Sequence, residues 1–97
     1  MLRLAGGDEI AGHAVVVATG VQYRRLDVPG ADALTGRGVY YGGSRAEAPG
    51  LRGERVYIVG GANSAGQAAL YFAGFAERVT ILCRGRDLRD GMSRYLT

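Results

Sequence analysis

The chain passes from the β-branched run Val56-Tyr57-Ile58-Val59 into Gly60-Gly61-Ala62-Asn63-Ser64 and then directly into a helical pattern. A strand that turns into a helix over so few residues has little choice of architecture. The helix must lie back across the sheet, and the next strand must run parallel to the first. Val79-Thr80-Ile81-Leu82 supplies that next strand. Ala65, Ala68, Ala69, Phe72 and Ala73 share one helical face, and their small side chains let the helix sit close to the sheet. Gly74 is placed to close the helix as the residue after its cap. The expectation is one right-handed βαβ crossover.

The turn also carries chemistry. A dinucleotide pyrophosphate needs exposed backbone N–H groups and the positive end of a helix dipole, and glycines leave the backbone open to that approach. In a GxGxxA register Gly60 is the first position, Ala62 the second and Ala65 the small residue where helix meets strand. Ala62 departs from the usual glycine; a methyl aimed at a phosphate weakens binding by about 1–3 kcal/mol if the loop cannot relax. The alternative is an ordinary tight strand-to-helix turn. The end of the second strand bears on which nucleotide would bind. A carboxylate about 20 residues beyond the turn would hold a ribose 2′-hydroxyl. The sequence reads Cys83-Arg84-Gly85-Arg86-Asp87-Leu88-Arg89, with no carboxylate expected at the strand end, and guanidinium groups suit a 2′-phosphate. NADPH is therefore expected over NADH, the alternative being a solvated basic loop.

The first part of the chain has a different texture. Leu2 to Leu4 and the residues around Ile10 flank Ala5-Gly6-Gly7-Asp8, the pattern of a β-hairpin with a turn that tolerates positive φ. Ala14-Val15-Val16-Val17-Ala18, ended by Thr19-Gly20, has the pattern of a strand covered on both faces. From Val21 to Gly53 there is punctuation and little periodicity, as expected of a linker. The fold class is α/β, a partial Rossmann-like arrangement.

Bulk properties exclude more than they assert. Ninety-seven residues suffice for one small domain and not for two complete cofactor-binding cores. The net charge of +3 comes from 12 basic residues, all arginine, dispersed apart from Arg84, Arg86, Arg89 and Arg94 and without interleaved aromatic residues. Nucleic acid is thus not an expected partner; such binding would fall steeply with salt and survive saturating NADPH. A single cysteine, Cys83, permits no intrachain disulfide and no cysteine zinc site, and it fits a reducing cytoplasm. No metal site is expected. The apolar runs are too short to span a bilayer, so no membrane association is expected. His13 has no recognisable catalytic partner and reads as a surface or turn residue. Cys83 reads as structural, and Tyr40 and Tyr41 as packing residues.

These segments, in this order, resemble the thioredoxin reductase family of the pyridine nucleotide-disulfide oxidoreductase superfamily along nearly the whole chain. Ala18-Thr19-Gly20, Arg24, Val28-Pro29-Gly30 and Gly36-Arg37-Gly38-Val39 look like the exit from that family's FAD-binding domain. Val59 to Ala65 looks like its nucleotide turn, and Val79 to Arg84 like the strand and basic loop beyond it. The resemblance implies residues 1–36 as the end of an FAD-binding domain with its exit linker, and 37–97 as the start of an NADPH-binding domain. It implies Thr19 and Gly20 beside FAD, Gly60, Gly61, Ala62, Asn63, Ser64 and Ala65 at the NADPH pyrophosphate, and Arg84 and Arg89 on the 2′-phosphate. No side chain is expected to act as acid or base. The family's CxxC dithiol is missing: the matching stretch is Tyr41-Gly42-Gly43-Ser44-Arg45, with Gly42 and Arg45 where cysteines would stand.

The implied activity is hydride transfer from NADPH to FAD in an intact parent protein, with electrons then passing to an acceptor not reached through a dithiol. A homodimer of that parent is compatible with the resemblance. The chain reads as an internal fragment without turnover of its own. The rival expectation is a non-catalytic NADPH-binding or sensing module.

Overall fold

A computed structural model describes residues 1–42 and 48–97. The chain begins with a small antiparallel hairpin, β1 (Leu2–Arg3) and β2 (Glu9–Ile10), in which Leu2 faces Ile10 and Arg3 faces Glu9. Its turn is closed by Leu4 N–H donating to Asp8 O at 2.8 Å and Gly7 N–H to Leu4 O at 2.9 Å. Gly7 has φ +94°, the left-handed conformation that the turn needs. Arg3 and Glu9 add an exposed ion pair at 2.7 Å, which contributes little to stability.

The run Ala14–Ala18 departs from expectation. It forms no ladder pairing with any described residue, and Val15, Val16 and Val17 are 60%, 88% and 80% exposed. The physical reason is that β-branched residues make a strand only when neighbouring strands accept their hydrogen bonds and cover their faces. No such neighbours are present among the described residues. The linker beyond is more ordered than its punctuation suggests. A 3-10 turn spans Asp32–Leu34, Thr35 and Val39 form an isolated bridge, and a second 3-10 turn spans Ala48–Leu51. Tyr41 accepts a hydrogen bond from Leu26 N–H at 3.0 Å, and the Arg25 guanidinium lies 5.5 Å from its ring centre. Tyr41 thus packs within the linker, while Tyr40 is exposed. Of the stretch aligned with the missing dithiol, Gly43, Ser44 and Arg45 lie outside the described residues.

The second half forms the expected crossover. β3 (Arg55–Val59) and β4 (Arg78–Leu82) pair in parallel, from Arg55 opposite Arg78 to Val59 opposite Leu82. Between them α1 (Asn63–Phe72) packs on both strands. Ala65 and Phe72 are buried and Ala68 and Ala69 half-buried, whereas Ala73 is exposed. Gly74 does follow the helix cap, but without positive φ; Ala73 N–H to Ala69 O and Ala76 N–H to Phe72 O end the helix instead. Gly66, which the apolar pattern passed over, is also buried. A Cβ added there would lie 3.0 Å from Met92 Sδ and 3.2 Å from Leu96 Cβ. The mid-helix glycine is therefore a docking point for the segment 92–96, whose Met92 is buried.

The described core is small: Ala31, Ala65, Phe72 and Met92. The accessible surface is 8248 Å², against about 5,300 Å² for a compact monomer of this mass. The radius of gyration is 18.3 Å, against about 13 Å for a compact chain of this length. Order is thus concentrated around α1 and its two strands. In hydrogen exchange of the 97-residue chain, the amides of β3, β4 and α1 should be protected while Val15–Val17 exchange at nearly free rates. Uniform protection, or one sharp two-state unfolding transition, would contradict this picture.

Candidate functional site

The β3–α1 turn combines two close approaches. Gly60 continues the ladder by donating to Leu82 O at 3.0 Å and takes φ +153°. A Cβ on it would come within 3.2 Å of the Ala65 methyl, so the first and last positions of the glycine register touch each other. At Gly61 a Cβ would lie 3.0 Å from Cys83 Cβ, which brings the turn against the end of β4. Ala62 caps α1 with φ −112° and ψ −178°, ordinary extended backbone. Its methyl therefore brings no backbone strain.

The first turn of α1 leaves its donors open. Ala65 and Gly66 donate to Ala62 O at 3.0 and 3.2 Å. No hydrogen bond among the described residues uses the amides of Gly61, Ala62, Asn63 or Ser64, and Ala62 makes no side-chain cap. Unused amides at a helix N-terminus are suited to an anion. The Asn63 side chain is already engaged: its Oδ1 accepts from Ser93 N–H at 2.7 Å. Asn63 thus anchors the C-terminal segment with its side chain, leaving its backbone N–H for a ligand.

Beyond β4 the chain folds back over the turn. Asp87 caps the 3-10 turn Leu88–Asp90 by accepting from Arg89 N–H at 2.9 Å. Gly91 follows, and a Cβ there would fall 2.5 Å from Gly61 O. Gln67 Nε2 reaches Tyr95 OH at 3.3 Å, holding the end of the segment to α1. Between the glycine turn and this loop lies an open cleft of about 280 Å³, lined by Gly61, Ala62, Cys83, Arg84, Gly85, Asp87, Asp90 and Gly91.

The cleft adds groups that the sequence reading did not weigh. Carboxylates do stand beyond the strand end, since Asp87 and Asp90 line the cleft together with Arg84. Arg84 has no hydrogen-bond or ion-pair partner among the described residues, whereas Arg89 is taken up by Asp87. Arg89 Nε donates to Asp87 Oδ1 at 3.0 Å and to Oδ2 at 2.9 Å, and Nη2 also bonds Oδ2. The Arg89 side chain, helped by its backbone N–H, holds the Asp87 carboxyl below the usual carboxylate range. The carboxylate in turn raises the Arg89 pKa. Arg89 is not among the lining residues, and Arg86 is exposed away from them.

The structure thus brings Gly61, Ala62 and Arg84 into the wall of one cleft, whereas Gly60, Asn63, Ser64 and Ala65 belong to the adjoining turn and first turn of α1 and, like Arg89, are not among the lining residues. Thr19 and Gly20 are not part of this site; both are exposed, and Gly20 takes φ +77°. Cys83 forms part of the cleft wall, its Sγ 3.4 Å from Gly85 O. His13 is exposed at a bend. Sequence reasoning missed Asp87, Asp90 and Gly91. The Asp-x-Arg spacing at 87–89 was a legible signal, because an Asp commonly caps the backbone two residues on. Nothing local flagged Gly91, whose partner is 30 residues away. No described helix is long and apolar enough to cross a membrane.

This geometry has close counterparts among known proteins. The chain is 40% identical over 88 residues to the F component of alkyl hydroperoxide reductase from Pseudomonas putida, covering 91% of this chain and 17% of that protein. It is 38% identical over 85 residues to Bacillus subtilis thioredoxin reductase, covering 88% of this chain and 27% of that one. It therefore spans well under a third of these relatives' lengths. The crystal structure of Lactococcus lactis thioredoxin reductase in the FR conformation superposes with a TM-score of 0.72 at 31% identity, covering 80% of this chain and 25% of that one. Residues 2–97 match the family model described as pyridine nucleotide-disulphide oxidoreductase, and with the partial Rossmann-like crossover and its open glycine turn this makes the chain a member of that family.

Proposed function

We propose that this chain contributes the pyridine-nucleotide site of an NADPH-dependent flavoprotein oxidoreductase, related to thioredoxin reductase and using FAD. Residues 1–36 would belong to its FAD-binding domain and 37–97 to its NADPH-binding domain. One observation carries the reading: Gly61 and Ala62, whose amides no hydrogen bond among the described residues uses, line the same cleft as Arg84, which has no partner among the described residues. The spacing suits a dinucleotide, with the pyrophosphate at the amides and the adenosine ribose toward the end of β4. Gly60 and Gly61 supply the cradle, since a Cβ at either position would press on Ala65 or Cys83.

NADPH supplies a hydride and FAD accepts it, so the protein's contribution is to bind and orient. Gly61, Ala62, Asn63 and Ser64 present backbone N–H groups to the pyrophosphate, and Ser64 can add its hydroxyl. Arg84 meets the 2′-phosphate by a charge-assisted hydrogen bond. Thr19 and Gly20 are assigned to FAD through the family alone, for they line no cleft among the described residues. With Gly42 and Arg45 where the family's cysteines would stand, electrons would leave by a route other than a dithiol at that position. An exposed thiol suits a reducing cytoplasm.

Full-length protein should be yellow, and anaerobic NADPH should bleach its flavin absorbance. A colourless protein that still bound NADPH would instead establish a nucleotide-binding or sensing module. Arg84→Ala should raise the KM for NADPH by about tenfold to a hundredfold while kcat changes little, because a binding contact remote from the hydride is removed. An unchanged KM would remove Arg84 from the site.

A further inference from the structure

We propose that Asp87 sets the nucleotide preference of the cleft by withholding Arg89 from it. This rests on reading the cleft as the adenosine end of a pyridine-nucleotide site. Two arginines, Arg84 and Arg89, were expected to meet a 2′-phosphate, and the structure offers only one of them. Arg84 lines the cleft, while the Arg89 guanidinium is bound by both oxygens of Asp87. Asp87 is itself on the cleft wall, with Asp90 beside it. The formal charge of the lining is thus one cation against two anions.

That balance matters because the two candidate ligands differ at one position. A phosphate monoester carries a charge of about −1.5 to −2 near neutral pH. It would enter a lining with more carboxylate than guanidinium. A free ribose 2′-hydroxyl is a donor and finds acceptors in Asp87 or Asp90. Asp87 therefore acts against the phosphate by occupying a guanidinium that could bind it, while Asp90 contributes the like charge nearby. The hold persists throughout the neutral range. A carboxyl whose pKa is lowered on folding keeps its partner until the pH falls through that lowered value, well into acid. This chain should accordingly accept NADH alongside NADPH, with Asp87 as a specificity-determining residue.

The same side chain also caps the Leu88–Asp90 turn, so the test must separate charge from capping. Asn caps a turn as well as Asp but binds a guanidinium far less strongly, and Asp87→Asn meets that need. Binding of NADP⁺ and NAD⁺ to the full-length protein is measured by titration calorimetry for wild type, Asp87→Asn, Arg89→Ala and the double variant. The wild type should bind the two nucleotides within about tenfold of each other. Asp87→Asn should tighten NADP⁺ by about tenfold, the scale of one additional charge-assisted hydrogen bond, and leave NAD⁺ unchanged or weaker. Arg89→Ala should change little in the wild type but abolish the improvement in the Asp87→Asn background.

The proposal is overturned if Asp87→Asn leaves NADP⁺ affinity unchanged, if it weakens both nucleotides equally, or if the tighter binding survives in the double variant. Failure of the underlying site reading looks different, since neither nucleotide would then bind the wild type. Retained hydrogen-exchange protection of the α1 amides shows that each variant is folded, so a lower affinity is read as the loss of a direct interaction.

Discussion

The ordered half of this protein depends on close approaches to backbone that carries no side chain of its own. Gly60 lets α1 close on β3 through Ala65, Gly61 lets the turn lie on Cys83 at the end of β4, and Gly91 sits on the Gly61 carbonyl. Only Gly60 of the three needs an unusual φ. The other two are glycines because of space. Each contact removes a degree of freedom that a tight strand-to-helix turn would otherwise keep. Together they fix where the unused amides point relative to the strand end, and so fix the width of the cleft.

The crossover was legible because its signals are local and mutually consistent. A β-branched run, a glycine turn, a helix with a small-residue face and a second run each point to the same parallel arrangement. The hairpin was legible for the same reason, through Gly6-Gly7-Asp8. The run Val15–Val17 has an equally strong signal but a different dependence. A doubly covered strand is specified by neighbours that its own sequence does not contain, so its pattern describes an environment rather than a local conformation. Gly66 illustrates the converse. A glycine in a helix interior is unfavourable by about 1 kcal/mol relative to alanine. Its presence there signals a packing demand, met here by Met92 and Leu96.

The site was half legible for an electrostatic reason. Counting arginines after β4 measures how many guanidinium groups exist and not how many are free. Arg84 and Arg89 have the same chemistry, yet Arg89 has a carboxylate two residues before it in a turn geometry that brings the two together. Such a contact forms within one turn and so loses little chain entropy, although the pair is exposed and each partner stays accessible to solvent. The capacity of a basic loop for phosphate is therefore set by its internal pairs as much as by its composition.

Asp87 also links the two ends of the cleft. It caps the Leu88–Asp90 turn; Gly91 and Met92 then donate to Leu88 O at 3.1 and 2.9 Å, and this places Gly91 on Gly61 and Met92 under α1. The residue that pairs with Arg89 thus also supports the backbone that forms another part of the cleft wall. On the proposed reading, loss of the cap would weaken binding of every dinucleotide, whereas loss of the charge alone would act only at the 2′ position. Substitutions that remove both at once confound the two effects. The carboxylate at 87 is at once the cap of its turn, the partner of Arg89 and part of the cleft lining.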